Sequence, residues 1–255
     1  MSLQVHLLPA LSDNYIFALR DSKANVTGIV DPAQSQPVID FLEENGWGLD
    51  FILNTHHHPD HVGGNADLVS RYGATVYGCG EDKKRIPHIS RELKGGDSFL
   101  FGEQKVTVLE VFGHTIGHIA YYFEEAASLF CGDTLFSNGC GRLFEGSPQM
   151  MWASLQKLRD LPPETKVYCA HEYTLHNGNF ALEQDPENRD LQNYMAKVKL
   201  LRAKGEFTIP TSIGQERLSN PFLRADQKSL KSALGMEGQD DLAVFTELRR
   251  RRDDY

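Results

Sequence analysis

One short segment holds four residues of metal-binding type within six positions: His56, His58, Asp60 and His61. Imidazole and carboxylate are ligands that zinc, iron and manganese take in proteins. The preceding stretch, Leu49–Thr55, is predicted to be a strand. Because side chains alternate along an extended chain, His56 and His58 point to one side and His57 to the other. The pattern His-x-His-x-Asp-His therefore predicts a metal site with enough ligands for two adjacent ions.

Three later residues of ligand type also follow predicted strands. With the strands they follow, these are His114 after Val106–Val111, Asp133 after Ser128–Cys131 and His171 after Lys166–Ala170. Open α/β sheets bind their ligands at the carboxyl ends of strands, which is where His56 also lies. We therefore expect the seven side chains to meet at one edge.

The expected ligands divide into two sets of three and one shared residue. One ion would take His56, His58 and His114. The other would take Asp60, His61 and His171. Asp133 has two carboxylate oxygens and could bridge both ions. Two ions about 3.5–4 Å apart can hold a hydroxide and stabilise the charge of a hydrolytic transition state.

The motifs around these ligands resemble those of the metallo-β-lactamase superfamily. They are the His-x-His-x-Asp-His segment, Gly113-His114-Thr115, Gly132-Asp133-Thr134 and Ala170-His171-Glu172-Tyr173. Three further motifs are similar to those of glyoxalase II, the hydroxyacylglutathione hydrolases: Gly139-Cys140-Gly141-Arg142, Asn220-Pro221-Phe222 and Arg249–Arg252. The resemblance covers essentially the whole chain. It implies hydrolysis of the thioester S-D-lactoylglutathione to glutathione and D-lactate, the second step of methylglyoxal detoxification.

The resemblance also implies residue roles. Asp60 and Asp133 would be catalytic, because they would orient the hydroxide while binding metal. The residues expected to bind substrate are Arg142, Phe144, His171, Tyr173, Arg249 and Arg252. Well-known family members have Lys, Tyr and Lys at the positions of Arg142, Phe144 and Arg252, so a hydroxyl is lost at Phe144. On the residues alone, the four arginines fit equally well the solvated end of a helix.

The order of secondary-structure signals predicts the fold class. Strand-like and helix-like stretches alternate through the first two-thirds of the chain, and strand signals fade from Tyr173 onward. We predict an α/β (α+β) fold: an αββα metallo-β-lactamase sandwich over residues 1–172 forms the catalytic domain. A smaller α-helical, substrate-binding domain would occupy residues 173–255. Thr211–Gly214 is predicted to be a connecting loop.

Composition limits the partners. The formal net charge of −9 disfavours nucleic acid, which needs a basic face. No apolar stretch approaches the roughly 20 residues that cross a bilayer, and the start of the chain lacks the features of a secretion signal. The four cysteines show no paired spacing, which indicates reduced thiols. We expect a cytoplasmic, monomeric protein that binds a small-molecule glutathione thioester and neither nucleic acid nor membrane.

Several alternatives stay open. Two divalent ions per chain are expected, zinc before iron or manganese, since the ligand set suits all three. A persulfide dioxygenase would use two His and one Asp on a single iron. A β-lactamase is disfavoured by the helical C-terminal region, and a nuclease by the acidic composition. A non-enzymatic diiron module for electron transfer would need a flavin partner, and no flavin-binding domain follows the predicted sandwich.

Overall fold

The computed structural model describes residues 3–255. The prediction that the chain starts without a secretion signal falls in part on residues 1 and 2, which lie outside the described residues. The strands are β1 Leu3–Ala10, β2 Asn14–Asp21, β3 Val26–Val30, β4 Phe51–Leu53, β5 Thr75–Cys79, β6 Ile89–Leu93, β7 Ser98–Phe101, β8 Gln104–Glu110, β9 Ile119–Phe123, β10 Ser128–Gly132, β11 Leu135–Phe136, β12 Gly139–Cys140, β13 Lys166–Cys169 and β14 Thr211–Ser212. The α-helices are α1 Gln36–Asn45, α2 Pro59–Val62, α3 Asn65–Tyr72, α4 Pro148–Arg159, α5 Thr174–Gln184, α6 Arg189–Ala203, α7 Ile213–Ser219, α8 Lys228–Leu234 and α9 Asp241–Asp254. Single 3-10 turns lie at Gly80–Asp82 and Pro221–Leu223.

Contacts divide the chain into two compact units. The first unit comprises the chain up to Glu110 together with Ile116–Gly132, and the second comprises Val111–Thr115 together with Asp133–Tyr255. This grouping follows contacts within each unit. The predicted domain boundary near residue 172 stays a prediction.

The first unit is built on two sheets. One sheet has the order β1-β2-β3-β4-β5-β6, antiparallel through β3 and parallel from β3 to β6. In the other, β7, β8, β9 and β10 are successive antiparallel neighbours. Aromatic side chains pack between the sheets: the Phe17 and Phe130 ring centroids lie 5.5 Å apart, and those of Phe51 and Phe101 lie 5.6 Å apart. These contacts form the layered core predicted from the strand pattern.

Helix α1 covers the other face of the first sheet. Because side chains alternate along β2, Ile16 and Ala18 point away from Phe17 and join a buried cluster with Val38 and Leu42 of α1. Gly46 ends α1 in the left-handed conformation, with φ of 65°, as the sequence predicts.

The second unit is mainly helical. It contains the β11–β12 hairpin, the antiparallel pair β13–β14 and helices α4 to α9. Trp152 of α4 stacks on Phe245 of α9 with ring centroids 5.7 Å apart. The loop predicted at Thr211–Gly214 is wrong, because β14 is followed directly by α7, whose first turn is capped by the Ser212 hydroxyl. The predicted class, mixed sheets with helices and a helical C-terminal region, is confirmed.

Candidate active site

The first group of expected ligands follows β4 in the first unit. His56 is buried, and its ring centroid lies 4.6 Å from that of His58 and 4.1 Å from that of His61. Pro59 begins the single turn of α2, since proline is well suited to the first helical position. That turn brings Asp60 and His61 beside the two preceding histidines. The residues of the sequence motif therefore form a local cluster of ligand-type side chains in space.

Asp31 determines which ring nitrogen carries the proton in two of these histidines, directly in His61 and through Thr55 in His56. Its carboxylate accepts hydrogen bonds from Thr55 N at 2.8 Å and Thr55 Oγ1 at 2.7 Å, and it lies 3.0 Å from His61 Nδ1. His61 Nδ1 therefore carries the proton, which leaves Nε2 as the lone-pair nitrogen. Because the Thr55 hydroxyl gives its proton to Asp31, its oxygen accepts from His56 Nδ1 at 3.1 Å. Sequence reasoning missed Asp31, although it directly follows β3.

Two asparagines hold the same turn from its sides. Asn14 Nδ2 donates to Asp60 Oδ2 at 3.0 Å and to the Asp60 carbonyl oxygen at 3.1 Å. Asn54 Nδ2 donates to the His61 carbonyl oxygen at 3.0 Å. Both asparagines are buried, so their amide groups limit the positions that Asp60 and His61 can take.

The two remaining histidines near this cluster have structural partners. His57 Nδ1 lies 3.1 Å from Asp82 Oδ2, and His57 Nε2 lies 3.2 Å from Arg85 Nη1. Arginine only donates, so Nε2 accepts and Nδ1 donates to the carboxylate. His118 stacks on His56 with ring centroids 4.6 Å apart and an interplanar angle of 17°.

The second group of expected ligands lies in the second unit. His114 Nδ1 donates to the Arg142 carbonyl oxygen at 2.9 Å, so its Nε2 carries the lone pair. That Nε2 lies 3.4 Å from Asp133 Oδ2, and His171 Nε2 lies 3.4 Å from Asp133 Oδ1. Each carboxylate oxygen of Asp133 thus faces a different imidazole. This is an arrangement in which one carboxylate can serve two ions.

The donor chemistry of these side chains fits a metal ion. Imidazole nitrogens and carboxylate oxygens are suitable ligands, and hydrogen bonds on Nδ1 orient the rings of His56, His61 and His114 for binding through Nε2. Within residues 3–255, the side chains in groups suited to a metal ion are His56, His58, Asp60, His61, His114, Asp133 and His171. Which of them bind an ion stays a prediction.

A cavity of about 410 Å³ lies in the second unit. Its lining is His114, Asp133, Phe136, Cys140, Arg142, Phe144, Tyr173, His176, Asn177, Arg249 and Arg252. Burial lowers the pKa of Arg252, and the nearby positive charges of Arg249 and Arg142 lower it further. Three guanidinium groups thus share one cavity, which makes it suited to an anionic ligand.

The arginines differ in how firmly the protein holds them. Arg249 is buried, with Nη1 donating to the Cys140 carbonyl oxygen at 2.8 Å and Nη2 donating to Asp253 Oδ1 at 3.0 Å. Arg252 is half-buried and donates to Asn177 Oδ1 at 3.1 Å. Arg249 is therefore also part of the cavity wall, a role that its place in an Arg-rich run did not reveal.

Aromatic rings form another part of the lining. Tyr173 stacks on His171 with ring centroids 4.7 Å apart and an interplanar angle of 5°, and Phe136 meets Tyr173 edge-on at 5.2 Å. Phe144 is 63% exposed, with its ring 5.1 Å from that of His114. The predicted substrate residues other than His171 thus line the cavity.

Some lining residues were missed from the sequence. His176 and Asn177 lie on the first turn of α5, five and six positions after His171. Partial burial and the charge of Arg252 lower the pKa of His176. The available signal was their position in a helix shortly after His171, an expected ligand, and no function was assigned to His176 from it.

Two family models together match residues 12–255. The model of the metallo-beta-lactamase superfamily matches residues 12–171, and that of the hydroxyacylglutathione hydrolase C-terminus matches residues 172–255. The chain is similar to ETHE1 from Myxococcus xanthus, with a TM-score of 0.67, 23% identity and coverage of 99% of this chain and 98% of that one. TTHA1623 in a di-iron-bound form gives a TM-score of 0.62 at 26% identity, over 84% of this chain and 98% of that one. These likenesses confirm the predicted fold.

The match to the superfamily model and the groups of ligand-type side chains define the class: a metal-dependent hydrolase of the metallo-β-lactamase superfamily. A hydroxyacylglutathione hydrolase from Methylococcus capsulatus is 47% identical over 251 residues, which cover 98% of both chains. The chain belongs to the hydroxyacylglutathione hydrolase family, which confirms the resemblance carried by the motifs. In residues 3–255, no helix combines the length and the apolar character that crossing a bilayer requires.

Proposed function

We propose that this chain hydrolyses S-D-lactoylglutathione to glutathione and D-lactate. The observation that carries the proposal is the cavity of the second unit, which has ligand-type side chains, His114 and Asp133, and three arginines in one lining. A glutathione thioester has carboxylates that the arginines would bind. It also has a carbonyl group that metal ions held by the ligand-type side chains would polarise. The name of the Methylococcus capsulatus relative supports the same substrate class.

The proposed cofactor is a pair of divalent ions. His56, His58 and His114 would hold one ion, Asp60, His61 and His171 the other, and Asp133 both. Zinc is the expected metal, and the di-iron form of TTHA1623 supports iron as the alternative. When bound, such ions lower the pKa of water toward about 7 and polarise a carbonyl oxygen.

The side chains of the protein have distinct tasks in this reaction. Hydrogen bonds on Nδ1 keep His61 and His114 in the tautomer that leaves Nε2 to a metal. Arg249 and Arg252 would bind the glycine carboxylate of glutathione, with Arg142, Phe144 and Tyr173 along the rest of the tripeptide. The thiolate is a good leaving group, so no additional general acid is required.

Hydrolysis of matched substrates tests the proposal. Purified, metal-loaded protein is assayed with S-D-lactoylglutathione, with a β-lactam and with glutathione persulfide plus oxygen. We expect turnover of the thioester alone, and loss of that turnover after a chelator removes the metal. Oxygen consumption with the persulfide, or no thioester cleavage by protein that contains metal, would contradict the proposal.

Two further proposals concern the protein in solution. We propose a monomer, because the expected ligands and substrate residues all belong to one chain, and a cytoplasmic location, because the four cysteines are free and buried. Light scattering after gel filtration gives the mass directly. A mass of twice 28.7 kDa or more would contradict the monomer.

A further inference from the structure

The Asn220-Pro221-Phe222 motif lies under the cavity wall. Asn220 is fully buried, and its Nδ2 lies 3.1 Å from the Phe136 carbonyl oxygen and 3.0 Å from that of Gly139. These carbonyls belong to opposite strands of the β11–β12 hairpin, in which Phe136 pairs with Gly139. One amide group therefore fastens both strands of the hairpin.

Glu216 completes this attachment from α7. Its Oε2 accepts from Asn138 N at 2.8 Å, in the hairpin turn, and from Asn220 Nδ2 at 3.0 Å, while its Oε1 accepts from Thr211 Oγ1 at 2.7 Å. The carboxyl group is fully buried, and burial raises its pKa while these donors lower it. Asn138, which donates this N–H, has a φ of 54°, a left-handed conformation that asparagine tolerates.

The fastened hairpin supplies part of the cavity. Phe136 and Cys140 line it, and the Cys140 carbonyl oxygen accepts from Arg249. Phe222, fully buried, packs under the Arg249 guanidinium, whose central carbon lies 5.3 Å from the ring centroid. The motif thus supports a cavity strand on one side and a cavity arginine on the other.

We propose that Glu216 and Asn220 are positioning residues that set the substrate affinity of the cavity through the β11–β12 hairpin. The inference rests on the proposed glutathione thioester as substrate. Removing the Glu216 carboxylate leaves Asn138 N–H without its buried acceptor and takes one of three acceptors from Asn220 Nδ2. The hairpin turn must then shift for Asn138 N–H to find another partner. Because that shift moves Phe136 and Cys140, it changes binding before it changes the chemical step.

Glu216→Ala and Glu216→Gln make a matched pair. The glutamine can place its oxygen where Oε2 accepts two hydrogen bonds and turn its amide toward the Thr211 hydroxyl, which can also accept. We expect the alanine variant to raise KM for S-D-lactoylglutathione about tenfold, with kcat and metal content little changed. The glutamine variant keeps KM within about twofold of the parent chain, since its contacts are restored.

Asn220→Ser provides a second route if Glu216→Ala does not fold. Serine can still cap Phe222 N, as Asn220 Oδ1 does at 3.0 Å, but it lacks the amide that reaches the hairpin. The control is Ser212→Ala, which removes the hydroxyl that caps α7 and leaves the hairpin bonds intact. We expect Asn220→Ser to raise KM and Ser212→Ala to lower only the melting temperature.

Calorimetric binding of glutathione, alongside kinetics, separates the possible failures. If the parent chain binds glutathione and cleaves the thioester, while Glu216→Ala and Asn220→Ser lower the melting temperature without changing KM or Kd, the positioning role is wrong. If the parent chain neither binds glutathione nor cleaves the thioester, the proposed function fails, and the inference that rests on it fails too.

Discussion

Tautomer control is a feature that three of the five expected metal-binding histidines share. His61 Nδ1 faces the Asp31 carboxylate, His114 Nδ1 faces a backbone carbonyl, and His56 Nδ1 faces a hydroxyl that has already donated its proton. In each ring, Nε2 is therefore the nitrogen with the lone pair. Three different acceptors produce one chemical result, which is why a ligand motif alone does not reveal them.

Changing Asp31 to Asn tests this control. Thr55 N is a donor, so the amide oxygen must face it, and the amide NH₂ then points at His61 Nδ1. That contact moves the His61 proton to Nε2 and blocks the ligand nitrogen. We expect metal affinity to fall by about 10- to 100-fold in competition with a chromophoric chelator.

Asp82→Asn is the control for that variant, because Asp82 contacts His57, which is not among the expected ligands. We expect its metal affinity to match that of the parent chain. Equal losses in both variants would show a general effect of removing a buried carboxylate.

Arg249→Ala should weaken both binding and stability. Arg249 lines the cavity and also donates to the Cys140 carbonyl oxygen from a buried position. We expect KM for the thioester to rise about tenfold or more, and the melting temperature to fall, since the carbonyl loses a charged donor. Arg250→Ala, which removes an exposed guanidinium paired with Glu247 and Asp254, is the control and should leave KM unchanged. A selective loss of kcat in Arg249→Ala would count against a binding role.

For single residues, the sequence predicted the side chains of ligand type but not the residues that hold them in place by hydrogen bonds. Histidines in a short motif stand out, because few other functions need so many imidazoles together. Asp31 and Asn14 act from strands distant in sequence, and single Asp or Asn residues are common in loops and turns. Only the packing of β2 and β3 reveals that they support His61 and Asp60.

Secondary-structure elements were predictable where local pattern determines them. The sequence predicts a strand at Val26–Val30 and an amphipathic helix at Gln36–Asn45 that ends at Gly46. Strand β3 and helix α1 have these bounds, because the signals for both elements are local. The short β11–β12 hairpin and β14 were missed. Each is two residues per strand, and each is stabilised by distant partners such as Asn220 and Lys166–Val167 rather than by its own sequence. The elements that were predicted depend on local sequence signals, and those that were missed depend on contacts with distant parts of the chain.

Gly141→Ala tests how closely the residue after β12 approaches Asp133, an expected ligand. A Cβ atom at this position would lie 1.9 Å from the Asp133 carbonyl oxygen and 3.2 Å from His114 Nδ1. The backbone must move to relieve the overlap, so we expect a cost of about 1–3 kcal/mol in unfolding free energy and a loss of bound metal. Gly48→Ala, where nothing lies within 4 Å, is the control. Full metal content in Gly141→Ala would contradict the close approach.

Charge over the whole molecule opposes the charge of the cavity. The net charge is −9, whereas the cavity lining carries Arg142, Arg249 and Arg252. The arginines would touch the substrate, whereas acidic residues farther from it than the Debye length, about 10 Å at 0.1 M salt, are largely screened. The local cations should therefore dominate the binding of an anionic thioester.

Ionic strength tests this balance. We expect KM to rise several-fold, with kcat unchanged, as sodium chloride increases from about 0.05 to about 0.5 M, because salt screens the attraction to the arginines. Arg252→Ala should show a weaker dependence. A fall in KM with added salt would mean that repulsion by the acidic surface is the larger effect.

Metal titration of the chelator-treated chain, with thioester turnover and elemental analysis on the same samples, tests the central claim most directly. The seven ligands are expected to hold two ions, so turnover should rise until two equivalents of metal per chain are bound. Full turnover at one equivalent, or two equivalents bound with no cleavage of S-D-lactoylglutathione, would contradict the account.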